Sequence, residues 1–316
     1  MGAVRGAMGT ASPATAPAAV KTGHWAVYVV HMMMSGQAVP SRRVTVAGVD
    51  TFLYDAGSGD VPVICLHGNP DSADHWLDLL GRTEQLGRVI APDMPGWGRS
   101  PAPDRDVCDG SLDALDRWFD ALLDELKIDR FRLVVHDWGG LALSAASRRA
   151  AQVDRLVIID TVPLSAHYRW HWIARLLWRP RGIGEATMPL LNRFAIKTLT
   201  RLQRPGLRPL PDVWLDRVAR DLDAGMKDSI LRLYRSASPD VLARHGARLG
   251  ELTCPALVIW GEKDPYVGVE EMDTVATALG SEPERWVVPG GGHWCIYDTP
   301  EVMERTAAFL TAGNVE

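Results

Sequence analysis

Apolar and polar residues alternate over positions 43–49 and again over 50–55. A period of two with one polar face predicts strands that are half exposed, here an antiparallel hairpin. Beyond position 60 the pattern changes. Residues 61–66, Val-Pro-Val-Ile-Cys-Leu, are almost continuously apolar, as strands buried on both faces are. Similar short runs recur at 88–91, 132–135, 155–160, 256–260 and 285–288. Segments of helical period lie among them, at 72–86, 111–126, 141–151, 269–279 and 300–310, with Ser111 placed to cap the second. Buried strands alternating with amphipathic helices predict an α/β fold, a mostly parallel sheet flanked by helices.

The alternation stops between 161 and 247. That stretch is helix-like, rich in Trp and Arg, and interrupted at Pro180, Pro205, Pro209 and Pro211. It holds fifteen basic and seven acidic residues, net +8, in a chain whose total is -5. The simplest organisation is a helical cap, 161–247, inserted after the sixth strand of a core built from 39–160 and 248–316.

Length and composition narrow the class. A chain of 316 residues can bury one large core plus such an insertion. Its 47% hydrophobic and 23% charged content is ordinary for a soluble protein, and the mildly negative charge gives no reason to invoke nucleic acid. Cys65, Cys108, Cys254 and Cys295 are scattered, with no C-x-x-C pair and no histidine at ligand spacing. They read as reduced thiols in a cytoplasmic protein, with neither a metal site nor a disulfide framework. Residues 1–38 are expected to be disordered or dispensable. The first twenty are Ala-, Pro-, Gly- and Thr-rich, and the apolar run from Trp25 to Met34 is too short to span a bilayer. The functional chain is expected to start near Met32, Met33 or Met34, without stable membrane insertion.

A mostly parallel sheet gathers its functional loops at the carboxyl ends of its strands. Four such loops carry reactive groups: His67-Gly68-Asn69-Pro70, His136-Asp137-Trp138-Gly139-Gly140, Gly261-Glu-Lys-Asp264-Pro-Tyr266 and Gly290-Gly-Gly-His293-Trp294-Cys295. The second joins a buried strand directly to a small-residue helix and puts a reactive side chain at the turn, the pattern of a nucleophile elbow. Small residues must follow such a turn, as Gly139 and Gly140 do. The helix N-terminus behind it favours an anion. The residue at the apex is aspartate.

Taken together, these four motifs resemble the α/β-hydrolase superfamily, and within it the aspartate-nucleophile branch of epoxide hydrolases and haloalkane dehalogenases. The resemblance runs over residues 40–316 and is loosest in the cap. Val135 stands where serine members usually carry a glycine, a departure the aspartate branch tolerates. The resemblance implies an α/β-hydrolase fold, no cofactor, and Asp137, Asp264 and His293 as the catalytic set. A carboxylate attacking an ester carbonyl would only form a mixed anhydride, whereas on a saturated carbon it forms an alkyl ester. Asp137 is then the nucleophile, His293 the base for a hydrolytic water, and Asp264 its orienting acid. Asp160 is an alternative acid, since some members place it after the sixth strand. The backbone N–H groups of Asn69 and Trp138 would hold the oxyanion.

Two leaving groups fit. An epoxide needs a proton donor, and Tyr234 resembles the cap tyrosine of epoxide hydrolases, with Tyr168 as its partner; Gly292-His293-Trp294 points the same way. A halide needs weakly acidic N–H donors, and the Asn69 amide with the Trp138 indole resembles the halide clamp of haloalkane dehalogenases. His171-Trp172 with Tyr234 resembles the cap pocket of fluoroacetate dehalogenase. That enzyme's arginines beside the nucleophile are replaced here by Trp138 and Leu141, which disfavours fluoroacetate. The leading expectation is an epoxide hydrolase, the alternative a haloalkane dehalogenase. A non-catalytic ligand-binding protein of the same fold is the remoter alternative. The expected partners are a small apolar organic substrate and water; the oligomeric state is open. The stripe from Trp170 to Arg181 has two readings, a contact with a membrane surface and, preferred, a face that is half core and half solvated, with arginine stems covering apolar surface.

Overall fold

The computed structural model describes residues 38–312, apart from 205, 207 and 208. The expectation for the N-terminal segment therefore lies outside the described residues, Ala38 excepted. Eight strands form one sheet: β1 Ser41–Val46, β2 Val49–Ala56, β3 Val63–Leu66, β4 Val89–Pro92, β5 Phe131–His136, β6 Val153–Ile159, β7 Ala256–Gly261 and β8 Glu284–Val288. Their order is β1-β2-β4-β3-β5-β6-β7-β8. β1 and β2 form the antiparallel hairpin, β2 runs antiparallel to β4, and all pairs from β4 to β8 are parallel. The residue pattern follows from position. Every residue of β3, β4, β5 and β7 is buried, whereas burial alternates along most of β2.

Helices α1 Leu112–Glu125 and α2 Ala142–Arg148 follow β4 and β5. The Ser111 hydroxyl caps α1 by accepting from the Ala114 N–H, and Leu115, Trp118, Phe119 and Leu122 form its buried stripe. Residues 72–86 do not form the single helix that their period suggested. They divide into a 3₁₀ turn, Ala73–Trp76, and two single-turn helices, Leu77–Leu80 and Thr83–Leu86. Carboxylates take over the backbone donors at the start: Ser72 N–H gives to Asp71 (2.9 Å) and Ala73 N–H to Asp93 (2.6 Å).

The insertion between β6 and β7 also begins differently. Residues 161–171 contain no helix or strand, and a π-helical turn at Ala174–Trp178 precedes the short helix Ile183–Thr187. Four longer helices then follow: α3 Arg193–Gln203, α4 Asp212–Asp221, α5 Ala224–Ser236 and α6 Pro239–Gly246. After β7 come α7 Glu271–Ala278 and, past β8, α8 Glu301–Thr311.

Two buried polar contacts fasten the insertion to the sheet. His245 of α6 bridges Ser144 of α2 (2.9 Å) and Asp113 of α1 (2.6 Å). Deeper still, Asp71 accepts from Trp214 (2.7 Å) and Arg217 (2.8 Å) of α4, and from Tyr297 (2.7 Å). Burial alone would raise the Asp71 pKa, yet Arg217 and His75 hold its carboxyl well below the usual range. The loop that follows Asn69 is thereby locked to the insertion. Removing one partner of a buried ion pair costs about 3–5 kcal/mol. Arg217→Met is accordingly expected to lower stability by about 3 kcal/mol or more, read by urea unfolding; a loss within experimental error would mean that Asp71 is satisfied without it.

Candidate active site

The buried strand β5 delivers His136 to the sheet's carboxyl end, and Asp137 follows with φ +51°, a left-handed conformation that side chains rarely adopt. Close packing on both sides holds it there. A Cβ on Gly139 would run into the Leu66 carbonyl at the end of β3, and one on Gly140 into the Thr161 side chain after β6. Gly68 leaves the space that the Asp137 carboxylate occupies.

The two carboxylate oxygens of Asp137 have different neighbours. Oδ1 accepts the Asn69 backbone N–H at 2.6 Å. Oδ2 lies 3.5 Å from His293 Nε2. The other ring nitrogen, Nδ1, is 2.7 Å from Asp264 Oδ2. Asp264 is itself fixed, its Oδ1 accepting from the N–H groups of Tyr266 (2.7 Å) and Val267 (3.0 Å). Burial would push the His293 pKa down, but Asp264 and Asp137 outweigh it and hold the imidazole well above its ordinary value.

Asp160 is not placed as the alternative acid would need. Its Oδ1 accepts the Gly261 N–H (2.7 Å) and its Oδ2 faces the Cys295 thiol (3.1 Å), while His293 Nδ1 is taken by Asp264. Burial, with Asp264 nearby, pushes the Asp160 carboxyl well above the usual range.

Above Asp137 lies a cavity of about 60 Å³, walled mainly by aromatic and aliphatic side chains. Tyr234 of α5 is buried, with its ring edge-on to Trp138 at 5.1 Å. Its hydroxyl sits beside both the Trp138 indole and the Asn69 amide. Trp97 donates to Asn69 Oδ1 (3.4 Å), which leaves Nδ2 as the donor toward the tyrosine. The Trp138 indole N–H is buried and closes no hydrogen bond of ordinary geometry. Burial and then Asp137 push the Tyr234 pKa well above 10.0, so the phenol keeps its proton.

Other expected residues are placed less favourably. Tyr168 lines the cavity, but its hydroxyl donates to the Tyr266 carbonyl at 3.3 Å and not toward Asp137. His171 also lines the cavity, and burial pushes its pKa down to about 4. Trp172 does not line it: its side chain turns outward and is 47% exposed. The tryptophan that does belong there is Trp170, stacked on Trp138 at 5.5 Å and covered by the Arg179 guanidinium. Trp178, Tyr266, Ile196 and Leu199 complete the wall and were not anticipated as site residues. Tyr266 stood in the Asp264 loop, a signal that could have found it; the aliphatic residues had none.

A family model described as alpha/beta hydrolase fold matches residues 61–300. The chain belongs to the α/β-hydrolase fold family. This α/β hydrolase is 38% identical over 300 residues to a haloalkane dehalogenase of Mesorhizobium japonicum, covering 87% of this chain and 95% of the relative. It is 28% identical over 289 residues to a 2-hydroxy-6-oxononadienedioate/2-hydroxy-6-oxononatrienedioate hydrolase of Cupriavidus pinatubonensis, covering 85% and 94%. Among solved structures it is similar to a haloalkane dehalogenase of Bradyrhizobium elkani, with TM-score 0.71, 27% identity and coverage of 86% and 97%.

Proposed function

We propose that this α/β hydrolase displaces halide from a small haloalkane through an alkyl ester on Asp137. The observation that carries the choice of leaving group is the convergence of the Asn69 amide and the buried Trp138 indole N–H, which closes no well-formed hydrogen bond among the described residues, beside the Tyr234 hydroxyl. A buried donor left without a good partner costs up to about 1–3 kcal/mol, a penalty that a departing halide would relieve. The relatives named haloalkane dehalogenases support the same reading. The expectation from sequence alone had put the epoxide first. It takes second place here, kept by one observation: the protonated Tyr234 hydroxyl beside the same donors could protonate an alkoxide. A reading after the 28% relatives, named hydrolases of an unsaturated 2-hydroxy-6-oxo dioate, meets the difficulty that aspartate attacking an acyl carbon would only form a mixed anhydride.

In the first step Asp137 Oδ2 attacks the carbon bearing the halogen, a C–O bond forms, and the C–X electron pair leaves with the halide toward Trp138, Asn69 and Tyr234. Oδ1 stays on the Asn69 N–H. In the second step a water attacks Cγ of Asp137 and gives its proton to His293 Nε2, while the Asn69 N–H holds the developing oxyanion, a role worth about 3 kcal/mol. Asp264 keeps Nδ1 protonated and stabilises the imidazolium. The tetrahedral intermediate collapses by breaking its Cγ–Oδ2 bond, the alkoxide takes the proton back from His293, and the alcohol leaves with Oδ2 while the water oxygen stays on the Asp137 carboxylate.

Charge couples the two steps. The Asp137 carboxylate is one of the groups that raises the His293 pKa, and esterification neutralises it. The His293 pKa therefore falls on esterification, so the imidazole is neutral and free to accept a proton once there is an ester to hydrolyse. Because the base must be neutral, falling pH slows the second step before the first. Rapid-quench measurement with 1-bromobutane should give a bromide burst of one per enzyme that grows more distinct as pH falls. No bromide at any pH would sink the halide reading, and diol formation from an epoxide under the same conditions would favour the second reading.

A further inference from the structure

Nine large hydrophobic side chains are exposed among the described residues, and seven of them fall between 172 and 213. They include Phe194 at 77%, Leu190 at 68%, Leu202 at 64%, Leu176 and Trp172. Their arrangement on α3 is ordered. At 100° per residue, Phe194, Thr198, Arg201 and Leu202 share one face, and all four are exposed. Ile196, Leu199, Thr200 and Gln203 share the opposite face; the first three line the cavity over Asp137. One helix thus has the cavity on its inner side and apolar residues facing outward. In the preceding turns of the same insertion Trp172, Leu176 and Ile183 are also exposed, as are Arg169, Arg175 and Arg181.

We infer that this surface docks on an anionic lipid membrane, lying on it without crossing it. A face of Trp, Phe and Leu interleaved with arginine is what an interfacial element presents to a bilayer: apolar side chains enter the acyl boundary, and cations meet anionic headgroups. The insertion is net +8 in a chain whose total is -5, so the remainder is net negative and is repelled by such a surface, which sets the orientation. Two neighbouring cations contribute little: Arg193 pairs with Asp212 and Asp216, and Lys197 with Asp212. The arginines of the preceding turns argue against a second copy of the chain as occupant. An isologous contact centred on those turns would set Arg175 and Arg181 against their own equivalents. No helix among the described residues is long and apolar enough to cross a membrane, which fits a surface contact. The position has a use. Apolar organic compounds concentrate in lipid, and α3 carries the exposed apolar face on one side and cavity-lining residues on the other. The inference does not depend on which leaving group the site takes.

The test is co-sedimentation of the full chain with large unilamellar vesicles of phosphatidylcholine, with and without phosphatidylglycerol. The chain should pellet with the anionic vesicles, and less so as salt rises. Phe194→Glu/Leu202→Glu should reduce vesicle binding about tenfold or more without moving the melting temperature, since both side chains are already in water. Arg175→Glu/Arg181→Glu should remove the preference for phosphatidylglycerol. The inference is overturned if the chain pellets with neither vesicle, or equally with both. It is also overturned if the Phe194/Leu202 variant binds as the unaltered chain does. Loss of binding only when residues 1–37 are removed would assign the contact to that segment instead. A dimer in size-exclusion chromatography that the double variant dissolves, with no vesicle binding, would assign the face to a second copy.

Discussion

Asp137→Ala is expected to abolish product release, by roughly 10⁴-fold or more, because the ester route has no other nucleophile to start from. The geometry supports a total effect. Asp137 alone is aligned with both the Asn69 N–H and His293 Nε2, and Asp160 is committed to Gly261 and Cys295. The left-handed backbone at 137 is held by the packing around it and Ala keeps the same Cβ, so the fold should stay intact without a gain in stability. A variant that keeps more than a few per cent of its turnover, with an unchanged melting temperature, would mean that water attacks the substrate directly.

The second large effect separates the leaving groups. With 1-bromobutane, Trp138→Phe and Asn69→Ala should each cut bromide release by about 10²-fold, the scale of one lost charge-stabilising donor. Tyr234→Phe should cost less than either, since two N–H donors remain. For an epoxide the ranking reverses. The alkoxide needs a proton, so Tyr234→Phe should cut diol formation by about 10²-fold or more, with the N–H donors secondary. Tyr168→Phe should leave both nearly unchanged, because its hydroxyl is spent on the Tyr266 carbonyl. If Trp138→Phe leaves bromide release intact, the poorly partnered indole is a packing defect and the halide clamp fails.

Much of this was legible in the chain because burial and chemistry coincide at the sheet's carboxyl edge. Continuous apolar runs mark strands that are covered on both faces, and the residues just beyond them had to converge. Asn69, Asp137, Asp264 and His293 do so. The chain favours Asp264 over Asp160 as the acid, but the alternative stays open there because both follow buried neighbouring strands; the hydrogen bond to His293 Nδ1 separates them. The insertion was read less well. Its early part, 161–171, has no regular period, so nothing in the pattern told that Trp170 turns inward while Trp172 faces solvent. Residues 72–86 had a helical period and still divide, near Leu77 and again at Gly81–Arg82, and no feature of the apolar pattern marked those breaks.

The most direct measurement of the central claim uses His293→Gln, which keeps the nucleophile but removes the base. After incubation with 1-bromobutane, intact-protein mass spectrometry should find the chain heavier by one butyl group, with peptide mapping placing it on Asp137 and one bromide released per adduct. A chain that releases bromide repeatedly without ever carrying the butyl group, or that carries it elsewhere, would contradict the account.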